Sequence, residues 1–183
     1  VKLLKVTSAI DEEEDVQQES ILDLAADRLA DTRTLRWHYR SRHPDLIRFS
    51  NKRFYDNKLL VFPTPNPKAD EMGVKYVQAN GIYQSSLNQI EAQRVVEEAI
   101  TQMANFPDKS LAIVAMNVKQ KEYIRELFEQ ELSRDDVVSD YFETWKENDL
   151  EPFIIRNLES IQGDERDVVI VSTVYGPNEQ GSV

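Results

Sequence analysis

The sequence predicts an α/β fold, a mostly parallel sheet with helices on both faces. Two observations carry that expectation. Leu111–Met116, Phe153–Ile155 and Val168–Val174 are short apolar runs rich in β-branched residues, the pattern of strands buried on both sides. Helical spacing of apolar residues alternates with these runs between residues 90 and 175, as strand–helix–strand units require. A third observation bounds the answer. The 183 residues contain no cysteine, so neither disulfides nor thiolate metal sites are available. A chain of this length can bury roughly 70% of its unfolded surface and needs no covalent staple.

Charge is distributed unevenly along the chain. A net charge of −11 argues against the whole surface binding nucleic acid. Between Asp11 and Asp31, however, nine acidic residues face only Arg28, whereas from Arg33 to Lys58 eight Lys and Arg face only Asp45 and Asp56. The acidic run reads as a solvated face within a weakly ordered leader over residues 1–19. The basic run is interleaved with Trp37, Tyr39, Phe49, Phe54 and Tyr55, and is either a phosphate-contacting surface or another solvated face. No apolar run approaches the ~20 residues of a membrane span and no signal-peptide pattern opens the chain, which predicts a soluble, cytoplasmic protein without membrane partners.

In order, Ser20 is expected to cap a helix reaching Leu29, with Ile21, Leu22, Leu24 and Ala25 on its apolar side. Thr34–Tyr39 reads as a strand. His43-Pro44 opens a helix, since proline suits the first helical position, and Ile47, Phe54 and Tyr55 form its expected buried stripe. Leu59–Phe62 reads as a strand closed by Pro63, Pro65 and Pro67. Val74–Gln78 is a further expected strand, followed by a turn at Asn80-Gly81. Asn88-Gln-Ile-Glu91 fits a capping box, in which an N-cap acceptor precedes a glutamate by three residues. The helix it opens turns Ala92, Val95, Val96, Ala99, Ile100 and Met103 toward the core. After the Leu111–Met116 strand, Asn117 to Gln120 opens a helix whose apolar face is Tyr123, Ile124, Leu127, Phe128 and Leu132. Asp135–Asp149 is expected to be an exposed helical excursion carrying Val138, Tyr141, Phe142 and Trp145. A polar tail begins at Gly176.

Three polar clusters sit at strand ends, where open α/β sheets bind their ligands. Trp37 to Pro44 places Tyr39, Arg40, Arg42 and His43 in a turn between strand and helix. A guanidinium there suits phosphate, though Arg40 pairing with a carboxylate and Tyr39 packing explain the same residues. His38 and His43 lack partners at ligand spacing, so no metal site is expected. Asn117 and Gln120 suit either a phosphate at a helix N-terminus or a simple cap. Between the last two strands lies the insert Glu159 to Asp167. It is too charged for core, and Gly163 in it allows a close approach or a positive φ.

The order and spacing of these clusters resemble the second RecA-like domain of superfamily 1 helicases, in the branch that includes the nonsense-mediated-decay helicase. Leu35-Arg-Trp-His-Tyr-Arg-Ser-Arg-His-Pro44 with Phe49 to Leu59 is similar to that family's Gln-Tyr-Arg motif, with His38 in the glutamine's place. Ser85 to Ala92 is similar to its Asn-x-x-Glu-Ala segment. Asn157 to Ser172 resembles its Gln-Gly-x-Glu motif and following strand, with Asn157, Glu159 and Ile161 where Thr, Asp and Phe are usual. The resemblance covers about Leu35 to Tyr175. It implies a RecA-like P-loop NTPase fold over residues 20–183, truncated before the family's last motif and lacking the Gly-x-x-x-x-Gly-Lys-Ser/Thr loop, which the sequence nowhere contains.

What the resemblance implies for the residues is one wall of an ATP cleft. Tyr39 would stack on adenine, Arg40 or Arg42 would be the arginine finger, and Gln162, Gly163 and Glu165 would meet the nucleotide. Asn117, Gln120, Asn157 and Ser160 would face nucleic acid. The cofactor is ATP with Mg2+, the metal's ligands lying in an absent first RecA-like domain of the same parent chain. The partner is single-stranded nucleic acid, DNA before RNA. Alone, the fragment is expected to be inactive. The alternative is a non-catalytic nucleic-acid-binding or scaffolding module on the same fold.

Overall fold

A computed structural model describes residues 21–29, 33–62, 72–132, 134, 136–146 and 151–178. The acidic leader at 1–19, the Ser20 cap, Pro63, Pro65, Pro67 and the end of the polar tail lie outside the described residues. The chain divides into two compact units, Val1–Tyr76 and Val77–Val183.

The first unit holds α1 (Ile21–Arg28), β1 (Trp37–His38), α2 (Asp45–Phe54) and β2 (Leu60–Val61). β1 and β2 pair in parallel, Trp37 opposite Leu60 and His38 opposite Val61. Both expected strands are thus shorter than their sequence patterns, and Trp37 stacks on Phe62 at 5.3 Å between ring centroids. Pro44 has helical dihedrals (φ −57°, ψ −32°) at the entry to α2, as its position predicts. The expected buried stripe does not form. No residue of α2 is buried, and Phe54 is 73% exposed. Asn51 fixes the return from α2 to β2 instead. Its Oδ1 accepts the Leu59 N–H at 3.0 Å and its Nδ2 donates to the Leu59 carbonyl at 3.2 Å, so one side-chain amide acts as a strand partner.

The second unit contains every buried apolar residue among those described. Residues 74–80 form no strand, and Asn80-Gly81 is not the turn. The chain reverses instead at Ser85-Ser86, both at positive φ (52° and 67°), while Gln84 and Leu87 exchange backbone bonds of 2.9 and 3.0 Å. Two central residues at positive φ make this a tight hairpin turn of the kind whose twist matches paired strands.

Helix α3 (Gln89–Asn105) follows, then β3 (Leu111–Ala115), α4 (Val118–Leu132), α5 (Asp136–Thr144), β4 (Phe153–Asn157), a 3-10 turn (Leu158–Ser160) and β5 (Val168–Ser172). The sheet order is β4-β3-β5, all parallel, with Leu111 opposite both Phe153 and Val168. Side chains alternate across a strand. Leu111, Ile113, Ala115, Phe153 and Ile155 therefore share one face, where they form the core with Ala92, Val95, Val96, Ala99 and Met103 of α3, Ile124 and Phe128 of α4, and Val138 and Tyr141 of α5. Helices were expected on both faces. Among the described residues, all three helices of this unit join the core on this one.

Helix α5 is not the exposed excursion that its acidic flanks suggest. Val138 and Tyr141 are three residues apart, so they share a helix face, and both are buried. Leaving Val138 in water would forgo roughly 1.5–3 kcal/mol. The Tyr141 hydroxyl sits 2.9 Å from both the Lys109 and Pro152 carbonyls, at the amino ends of β3 and β4. Burial, reinforced by the Asp167 carboxylate, pushes its pKa up to about 12.

Because β4 and β5 both run parallel to β3, residues 158–167 must carry the chain from the carboxyl end of β4 back to the amino end of β5. Parallel crossovers usually use a helix. Here ten residues suffice, since an extended chain covers roughly 3.3 Å per residue and the strands are five residues long. Asp167 anchors the far end. Its Oδ2 accepts the Ser110 N–H (3.1 Å) and hydroxyl (2.8 Å), and its own N–H meets Ser110 Oγ at 3.0 Å.

Candidate nucleotide and nucleic-acid interface

In the first unit the candidate residues occupy the turn between β1 and α2. His38 Nε2 accepts the Ser41 N–H at 3.2 Å and lies 2.7 Å from the Ser41 hydroxyl. The histidine thereby ties the two ends of the turn together. Tyr39 at its apex is 85% exposed, and Arg40 and Arg42 are exposed as well. His43 faces the helix, Nδ1 accepting the Asp45 N–H at 3.2 Å. Both histidines are committed to local bonds. Among the described residues no group of three His, Asp or Glu is arranged to hold a metal ion.

In the second unit the candidate residues separate into three groups. Asn157 and Ser160 stand at the carboxyl end of β4. Asn157 Oδ1 accepts the Ser160 hydroxyl in a short contact, and Asn157 Nδ2 donates to Glu159. Gln162, Gly163 and Glu165 lie further along the return crossing, all exposed. Gly163 takes φ +93° with open space where a Cβ would point. An L-residue is strained at that φ, so the requirement is conformational rather than one of room. The sequence pattern treats the insert as a single edge loop. The strand register divides it, with 157–160 at the carboxyl edge and Asp167 at the amino edge.

Asn117 and Gln120 are spent internally. Asn117 is the N-cap of α4: Oδ1 accepts the Gln120 N–H at 2.8 Å, while Nδ2 donates to the Ser86 carbonyl at 3.1 Å. Gln120 is 0% exposed. Its Oε1 accepts the Asn88 N–H (2.9 Å), and its Nε2 donates to the Asn88 carbonyl (3.0 Å) and Ser172 Oγ (3.2 Å). A side chain so enclosed offers no group to a ligand. Its place is to hold the start of α3 against the end of β5.

At that junction the capping-box residues gain long-range partners that the sequence does not reveal. The capping box forms as its spacing predicts, Asn88 Oδ1 accepting the Glu91 N–H at 3.1 Å. Glu91 also reaches across the sheet edge. Its Oε1 accepts the Ser172 hydroxyl (2.8 Å) and the Val174 N–H (2.9 Å), and Asn88 Nδ2 donates to the Val174 carbonyl (3.3 Å). Val174 is fully buried at φ +69°. The capping box and the resemblance of Ser85 to Ala92 to an Asn-x-x-Glu-Ala segment marked these residues, but not their partners, since those of Glu91 lie more than 80 residues away.

Comparisons with known proteins identify the family. The AAA domain family matches residues 17–183. An uncharacterized ATP-dependent helicase of Mycoplasma genitalium, MG140, is 32% identical over 166 residues, covering 87% of this chain. Its homolog in Mycoplasma pneumoniae is 29% identical over 167 residues, again 87% of the chain. The chain spans 14% of the length of each of these relatives. No solved structure matches. The parallel α/β sheet fits a P-loop-like fold, and the chain belongs to the AAA domain family and is similar to uncharacterized ATP-dependent helicases.

Proposed function

We propose that this chain is the second RecA-like domain of an ATP-dependent superfamily 1 helicase or translocase, acting on single-stranded nucleic acid within a longer parent protein. Family membership and the helicase relatives support an ATPase of helicase type. The observation that carries the finer reading is the β1–α2 turn. Tyr39 and Arg40 are displayed to solvent at the tip of a turn whose ends His38 holds together. An exposed aromatic ring and an always-charged guanidinium, presented together, suit adenine and phosphate respectively.

In this reading the substrate is ATP. Water attacks the γ-phosphorus, the bond to ADP breaks, and negative charge grows on the transferring oxygens. Arg40, or Arg42 two residues on, is the arginine finger that stabilises that charge. Tyr39 stacks on the base. Gln162 and Glu165 hydrogen-bond the nucleotide, and Gly163 gives their loop its backbone turn. Mg2+ would supply charge neutralisation at the phosphates, and its ligands would come from a first RecA-like domain of the parent protein rather than from the described residues. Asn157 and Ser160 face the nucleic-acid backbone from the carboxyl edge. Asn117 and Gln120 act behind them, fixing the start of α4 and the junction with β5.

The test is nucleic-acid-stimulated ATPase of the complete parent protein. Arg40→Ala is expected to lower turnover by roughly 10³-fold or more, the range of known arginine fingers. The same loss at Arg42→Ala, with Arg40→Ala near wild type, moves the finger by two residues. If both variants fold and hydrolyse ATP like the wild type, the arginine-finger reading fails.

A further inference from the structure

Backbone strain is concentrated at one place in the second unit. Ser85, Ser86 and Val174 are its described non-glycine residues at positive φ, and the segments that carry them are tied by the Tyr83 N–H to Pro177 carbonyl bond. Val174 is the costliest of them, being β-branched. The Tyr175 N–H donates to the Thr173 carbonyl at 2.7 Å, so Val174 is the centre of a γ-turn of positive φ, the rare and strained kind. Such conformations persist only where surrounding bonds over-determine them, and they gather at functional sites. Here Glu91 takes the Val174 N–H and Asn88 takes its carbonyl.

The γ-turn turns the chain sharply just before Tyr175. The Tyr175 ring is 61% exposed and lies 5.3 Å from the ring of Tyr83, tilted by 51°. The Tyr83 N–H donates to the Pro177 carbonyl at 3.0 Å, so the backbones carrying the two rings are tied together. From Tyr83 the chain passes straight into the Ser85-Ser86 turn. The carbonyls of that turn are held by the Lys119 ammonium (3.2 Å) and the Asn117 amide (3.1 Å) from the start of α4. One edge thus presents the exposed Tyr175 ring against a half-buried Tyr83 on a fixed backbone, with Lys119 bonded to the turn that follows Tyr83.

We propose that Tyr175, backed by Tyr83, is a stacking platform for a base of single-stranded nucleic acid, with Lys119 supplying positive charge on the same edge. Every base has a π-face, so such a platform binds with little sequence preference, as a translocating protein requires. Asn88 and Glu91 are positioning residues. They hold the γ-turn that presents the ring and do not meet the ligand. The inference rests on the nucleic-acid reading above and adds the residues that grip the bases.

The experiment uses the complete parent protein, a fluorescein-labelled oligo(dT), and two readouts: anisotropy for binding, and ATPase stimulation by the same oligonucleotide. Stacking on one aromatic ring, removed by alanine, corresponds to roughly five- to hundred-fold weaker binding for Tyr175→Ala. Tyr175→Phe and Tyr175→Trp, which keep a π-face, should bind within a few-fold of wild type. The salt dependence of Tyr175→Ala should match wild type, because no phosphate contact is lost. The oligonucleotide concentration for half-maximal ATPase should rise with the dissociation constant, while turnover at saturation stays unchanged. Wild-type binding by Tyr175→Ala overturns the platform while leaving the helicase reading intact. A wild-type protein that neither binds oligo(dT) nor responds to it in ATPase overturns both.

Discussion

Gly81 and Asn88 offer the sharpest test of the junction at the sheet edge. A Cβ added to Gly81 would lie 1.8 Å from Asn88 Oδ1 and 2.7 Å from its Cγ, far inside contact distance. Asn88 has nowhere to go, being 2% exposed with its amide bonded to the Glu91 N–H, the Glu91 carboxylate and the Val174 carbonyl. Asn88→Ala removes an N-cap, about 1 kcal/mol, and strands buried backbone groups at about 1–3 kcal/mol more, so about 2–4 kcal/mol in all. Gly81→Ala expels the same amide and should cost about as much. The two losses share one cause and are therefore not additive. Gly81→Ala/Asn88→Ala should be only about as unstable as Asn88→Ala, a coupling of about 2–4 kcal/mol in a double-mutant cycle. In urea unfolding followed by circular dichroism, each single variant should move the midpoint by about 1–2 M, for a slope near 2 kcal/mol/M. The double variant should sit close to Asn88→Ala. Losses that sum to within about 0.5 kcal/mol would refute the steric reasoning.

Other consequences are testable in the same chain. Tyr141 keeps its proton to about pH 12 in the folded state, against about 10 when unfolded. Between those values the native state holds a proton that the unfolded chain has lost, so this group's contribution to stability is complete below pH 10 and falls as pH rises toward 12. Tyr141→Phe should flatten the alkaline limb of a stability–pH profile in that window; an unchanged slope counts against it. Asn51→Ala should cost about 1–2 kcal/mol, two half-buried hydrogen bonds to Leu59, and should speed amide exchange at Leu59 without affecting Leu111–Ala115 in the second unit.

What the sequence made legible was local. The Asn88–Glu91 box, the apolar stripe of α3 and the unbroken run of β3 are each specified within a few residues, and each forms. Val138 and Tyr141 were misjudged because charge density around a short helix says nothing about what its other face meets. Ile47, Phe54 and Tyr55 show the converse. A helical stripe is necessary for burial, but α2 has no described partner that buries it. Thr34–Tyr39 read as a strand and only Trp37–His38 of it forms, while Val74–Gln78 forms none, because a strand exists only where another backbone lies alongside, which composition does not encode. At the candidate site, residue types were readable and their accessibility was not. Gln120 read as either a phosphate contact or part of a cap, and its amide is enclosed by partners 32 and 52 residues away. The left-handed Val174 carries no sequence signature at all, since valine is the last residue that φ would suggest.

The crossing of residues 158–167 has a consequence for how the second unit assembles. The central strand, Leu111–Ala115, acquires its first neighbour only with Phe153 and its second only with Val168. Both closures span long stretches of chain, whose entropic cost must be met before any pairing repays it. During synthesis the Leu-Ala-Ile-Val-Ala run therefore emerges well before either partner, an uncharged apolar segment with two open edges. Such segments recruit strands from other molecules. Helices α3 and α4, which flank this run and pack against each other, are the elements available to shield it meanwhile. Their packing contributes to keeping the nascent chain soluble as well as to the stability of the finished domain.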